Sequence, residues 1–93
     1  MDTTTGELEV KRLVRFDGGG SLKAYCDLTV GDRFLIKGLR VVLGKNGLFV
    51  SMPRQQTKGG KWFDSVETLT KEIRAEVSRL VLEAYQQEGE VPN

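Results

Sequence analysis

With 93 residues the chain has room for one domain, whose thin core leaves burial against a partner chain physically favourable. It holds no histidine and a single cysteine, which removes the usual general base near neutral pH, a tetrahedral Cys/His zinc site and any internal disulfide. The formal net charge is only +1, and no apolar run approaches the roughly 20 residues of a membrane-spanning helix.

The opening Met1-Asp2-Thr3-Thr4-Thr5 lacks the basic and apolar regions of a signal peptide, so the expected compartment is the cytoplasm. One domain over residues 1–93 is expected, globular over about 8–88, with tails at 1–7 and 89–93. Leu8, Val10, Val14 and Phe16 recur with a period of two, with Arg12 as the exception, and predict a first strand. Asp17-Gly18-Gly19-Gly20-Ser21 reads as a hairpin turn. Beyond it Leu22, Ala24, Cys26, Leu28 and Val30 share one face and Lys23, Tyr25, Asp27 and Thr29 the other, the pattern of a half-buried strand.

Gly31-Asp32 makes the next turn, and residues 33–43 predict a third strand. Its apolar phase slips from Phe34 and Ile36 to Leu39, Val41 and Leu43, which a bulge at Lys37-Gly38 would reconcile. Gly44-Lys45-Asn46-Gly47 is expected to form a type I′ turn around Asn-Gly, followed by a short strand over residues 48–52. Residues 53–61 are polar, glycine-bearing and basic, and predict a long loop or a protruding hairpin arm, with one more strand possible within 62–69. Then the period becomes 3.6. Ile73, Val77, Leu80, Val81, Ala84 and Tyr85 form one apolar stripe, with Thr70 as N-cap and Gly89 ending the helix near Gln87. The fold class is α+β: an antiparallel sheet of four to five strands with one C-terminal helix packed on it.

Two tempting motifs fail on their chemistry. Neither Gly44-Lys45-Asn46 nor Gly60-Lys61-Trp62 supplies the Lys-Ser/Thr that a phosphate-cradling P-loop requires, and Gly18-Gly19-Gly20 precedes a strand. Cys26 sits in phase with Ala24 and Leu28, as a core residue rather than a nucleophile. A carboxylate-only magnesium site would need an acidic cluster at suitable spacing, and none stands out. No cofactor, metal or catalytic residue is expected.

Charge is where the sequence departs from the ordinary. Residues 1–32 carry four basic and six acidic side chains, and residues 62–93 carry three basic and seven acidic. Between them Arg33, Lys37, Arg40, Lys45, Arg54, Lys58 and Lys61 stand without one acid. Seven such cations suit phosphate contact, with Trp62 beside them able to stack on a base, although a Trp62-Phe63 pair more often belongs to a core or an interface. The plainer alternative is a solvated surface part-neutralised by the acidic helix. In that helix Arg79 is expected to pair with Glu76 and Glu83, while Lys71 and Arg74 lie near its start, where free N–H groups favour a phosphate.

Asn46-Gly47-Leu48-Phe49-Val50-Ser51-Met52-Pro53, preceded by Leu39-Arg40-Val41-Val42-Leu43-Gly44, resembles the SpoVG family of stage V sporulation or septation proteins. The likeness runs from about Glu9 to Tyr85. It includes the polar stretch 54–60, Trp62-Phe63-Asp64 and the helix end Leu82-Glu83-Ala84-Tyr85. The resemblance implies a bacterial cytoplasmic protein, homodimeric through its sheet, that binds DNA or RNA as a regulator in septation, sporulation or virulence control. Carried over by position, it implies binding through Arg74, with Lys71 adjacent, and through Arg54 and Lys58. Glu76 stands where the family usually has a second basic residue, and Glu67-Thr68 where it usually has His-Pro. Those departures move the expected contact surface from the helix toward the 33–61 block. The alternative is a non-enzymatic structural or adaptor protein of cell division, acting by protein–protein contact.

Overall fold

The computed structural model describes residues 4–5, 7–16 and 18–87. Seven strands and one helix follow in order: β1 (Thr4–Thr5), β2 (Leu8–Arg15), β3 (Leu22–Val30), β4 (Phe34–Gly44), β5 (Gly47–Ser51), β6 (Arg54–Gln56), β7 (Trp62–Asp64) and α1 (Lys71–Gln86). The first five form one antiparallel sheet in chain order, and β6 pairs with β7 as a separate hairpin. The architecture is α+β, as the change of period predicts. Residues 53–61, with Trp62–Asp64, form the hairpin arm, so the strand expected within 62–69 is limited to three residues. Thr4–Thr5 pairs with β2, within a stretch that sequence left outside the strands. Asp17 and the expected ending glycine, Gly89, lie outside the described residues, as do most of the two expected tails.

Bulges set which side chains enter the core. Cys26 pairs with Leu39 and Leu28 with Ile36, so Asp27 faces both Lys37 and Gly38, the bulge that the phase slip predicts. Gly38 holds φ +90°, a conformation that costs a side-chain-bearing residue dearly. A second bulge corrects the sequence reading of β2. Val10 pairs with Leu28 and Arg12 with Asp27, leaving Lys11 as the extra residue. Beyond it the inward phase changes from even to odd positions, so Leu13 is fully buried while Phe16 is exposed.

The hairpin turns also exchange roles. Gly31 and Asp32 both have positive φ (+58° and +59°), and the Arg33 N–H donates to the Val30 carbonyl at 3.1 Å. These are the paired positive angles of a type I′ turn. At the β4–β5 connection only Gly47 has positive φ, so the expected I′ turn around Asn46-Gly47 is replaced by a turn that closes on a positive-φ glycine.

Packing follows from these registers. Val10, Leu13, Ala24, Cys26, Leu28, Leu39, Val41 and Val50 line the inner face and meet Val77, Leu80, Val81 and Ala84 of α1. The Thr70 hydroxyl accepts from the Ile73 N–H at 3.1 Å, capping the helix as expected. No basic residue stands in the last turn of α1. Arg15 of β2 serves instead: its guanidinium lies 4.5 Å from the centre of the Tyr85 ring and donates to the carbonyls of Tyr85 and Gln87.

Candidate nucleic-acid interface

Opposite the helix, the sheet turns a second face to solvent. Cross-strand register sets Val14 beside Tyr25, Tyr25 beside Arg40 and Arg40 beside Ser51, one row across four strands. Arg40 is carried here because β4 resumes strict alternation after the Gly38 bulge, with Leu39 and Val41 pointing into the core. Tyr25 is supported from one side by Phe16, edge to face at 5.1 Å between ring centres.

The arm closes this face into a cleft. Antiparallel pairing of β4 with β5 brings the chain after Ser51 back alongside Gly38. Pro53 is buried there, and the N–H and hydroxyl of Ser65 both donate to its carbonyl, at 2.9 and 3.1 Å. This clasp fixes the base of the β6–β7 hairpin. At the tip the Gly60 N–H donates to Thr57 and the Thr57 N–H to Lys61. Between arm and sheet lies a recess of about 330 Å³, lined by Tyr25, Lys37, Arg40, Arg54, Gln55 and Trp62, with Gly38, Pro53 and Ser65 at its base.

Its electrostatics favour an anion. Lys37 and Arg40 have no carboxylate within ion-pairing distance among the described residues. Arg54 pairs with Asp64 directly across the arm at 3.4 Å, an exposed contact worth at most about 1 kcal/mol. Its guanidinium also lies 5.8 Å from the centre of the Trp62 ring. Trp62 is not core: the residue is 55% exposed, and Tyr25 is 41% exposed.

The other candidate residues are dispersed. Arg33 and Lys45 flank the two ends of the eleven-residue β4, which an extended strand separates by roughly 35 Å. Lys58 and Lys61 occupy the arm tip, beyond the cleft. Lys71 and Arg74 line a shallow depression with Thr68, Leu69 and Thr70 at the start of α1. There the Arg74 guanidinium donates to the Val50 carbonyl of β5 at 3.0 Å, tying helix to sheet. Arg79 pairs with Glu83 at 3.1 Å.

Sequence reasoning passed over Tyr25 as a site residue. The available signal was an aromatic on the polar face of an otherwise cleanly alternating strand. Cys26 is a buried core thiol whose pKa is pushed up to about 12 by burial and then by the neighbouring Asp27 carboxylate, so it stays protonated and unreactive. Among the described residues no group of three or more Cys, Asp or Glu side chains is placed to hold a metal ion, and no helix is long and apolar enough to cross a membrane.

Comparison with known proteins gives the chain a family. The SpoVG family model matches residues 7–87. Relatives provisionally named septation protein SpoVG include one from Archaeoglobus fulgidus, 38% identical over 88% of this chain and 96% of its own length. Another, from Treponema denticola, is 33% identical over 92% of each chain. A third, from Staphylococcus saprophyticus, is 34% identical over 86% of this chain and 79% of its own. With β2–β7, the helix and the NGLFVSMP segment all inside the matched span, the chain belongs to the SpoVG family.

Proposed function

We propose that this protein is a non-catalytic, cytoplasmic regulator that binds nucleic acid as a homodimer, and that Lys37, Arg40 and Arg54 form the centre of the binding surface. One observation carries the reading: three cations that are scattered in sequence line a single recess together with two exposed aromatic side chains. Phosphate contacts by such cations release condensed counterions, the main source of affinity for a nucleic acid. Lys58 and Lys61 on the arm extend the track, and Arg33, Lys45 and Lys71 add longer-range attraction. The name borne by the relatives connects them with septation, which supports a role in the control of cell division.

Self-association is part of the proposal. Among the described residues β5 is the last strand of the sheet; Arg74 takes the Val50 carbonyl on its outer edge, and the remainder of that edge has no neighbouring strand to complete the ladder. A second copy meeting it about a two-fold axis would extend the sheet and bring two clefts onto one assembly.

The test is binding to an oligonucleotide across a salt series. Log affinity should fall steeply with log salt, and Lys37→Ala and Arg40→Ala should each reduce the slope by about one. Absence of binding at low salt contradicts the reading.

An adaptor role has its own support. Val30, Ile36, Leu69 and Ile73 line an apolar groove at one end of the helix, and Leu69 is almost fully exposed. Capture from nuclease-treated lysate separates the two readings: a retained protein partner favours the adaptor, and loss of every partner favours the regulator.

A further inference from the structure

We propose that the cleft between sheet and arm takes single-stranded nucleic acid, with an unpaired base stacked on Trp62 or Tyr25 and its flanking phosphates on Arg40, Arg54 and Lys37. The inference rests on the nucleic-acid reading above and adds the strandedness and the contact that decides it.

Three observations converge on it. First, both aromatic residues line the recess itself, and each keeps a large exposed fraction, 55% for Trp62 and 41% for Tyr25. An exposed indole beside cations on a polar arm contributes little to the core, whereas it offers a base an apolar plane. Second, the recess is an open trough of about 330 Å³ between the sheet and the arm. A duplex keeps both faces of its bases in the stack and meets a concave site only with its backbone; a single strand can turn a base into it. Third, the helix is not built for the usual route to a duplex. A helix entering the major groove needs a surface that tolerates phosphates on either side. Here α1 balances Lys71, Arg74 and Arg79 with Glu72, Glu76 and Glu83, so it carries no net positive charge; its last turn has no basic residue, and Arg74 is engaged with Val50.

The parts have complementary roles. Arg54, held over the indole at 5.8 Å, combines a stacking surface with a phosphate donor. Gln55 supplies amide groups that can meet a base edge of any identity. Asp64 restrains Arg54 at 3.4 Å and lowers its net attraction for phosphate, so neutralising Asp64 should strengthen binding. With Lys37, Arg40 and Arg54 directed to phosphates, stacking dominates and sequence preference is weak.

Trp62 is the only tryptophan, so its fluorescence reports the contact directly. The full chain is titrated with a thymidine decamer, a blunt duplex of equal length and an abasic decamer of the same charge, at about 50 mM salt, where phosphate contacts are strong. The decamer with bases should quench Trp62 and bind roughly tenfold more tightly than either competitor. Trp62→Ala and Tyr25→Ala should each weaken it by about fivefold or more, and Trp62→Phe should retain most of the affinity. Thermal melts identify any variant that fails to fold, and wild-type quenching decides the matter independently of the variants. Equal binding of all three ligands without quenching overturns this inference and leaves the nucleic-acid reading standing. No binding by any of them overturns both.

Discussion

A guanidinium drawn out of water gives up hydration that only fixed acceptors can replace. Arg15 finds two at the carbonyls ending α1, with the Tyr85 ring as a further contact. The helix terminus carries a partial negative charge and orphan carbonyls, and its own last turn offers no cation. Arg15→Ala should therefore lower stability by about 1–3 kcal/mol in urea unfolding, with Arg15→Lys recovering only part, since an ammonium cannot fork between two carbonyls. An unchanged midpoint would show the clamp to be idle. Nothing in the local sequence reveals this contact, because Arg15 and Tyr85 are 70 positions apart. The burial of Cys26, by contrast, was readable from its phase alone. Trp62 was readable only as a residue type; its exposure depends on an arm that turns it away from the core.

At the scale of elements, periodicity locates strands and helix well and misplaces side chains wherever a strand carries an extra residue. In β4 the glycine advertises the bulge, so the shift at Lys37-Gly38 follows from sequence. In β2 the bulge residue is Lys11, which carries no such mark. Arg12 then looks like an intruder on the core face, although it is the strand that has changed phase, and Leu13 takes the core position. Turn chemistry was ambiguous for a similar reason. Gly-Asp and Asn-Gly both tolerate positive φ, and which pair adopts the I′ geometry depends on strand register on either side. These shifts matter for the proposed function: the β4 bulge puts Lys37 and Arg40 at one recess, and the Pro53–Ser65 clasp brings Arg54 and Trp62 to meet them.

Over the whole molecule, seven unopposed cations in sequence become one cleft of three, an arm tip of two and two outliers at the ends of β4. A run of charge along a chain states how much positive potential the fold must display, and only the tertiary path states where. Pairing about β5 would double that potential on one assembly. Sedimentation in the absence of nucleic acid should accordingly give twice the mass of one chain at micromolar concentration. A single-chain mass at every concentration would leave the cleft to act alone.

Nucleic acid is proposed to land in the recess between sheet and arm. Amide and indole shift mapping on the full chain, titrated with a short single-stranded oligonucleotide at low salt, tests it residue by residue. The largest changes should fall on Tyr25, Lys37, Arg40, Arg54 and the Trp62 indole. Changes confined to Lys71, Arg74 and the first turn of α1, with the recess silent, would contradict it.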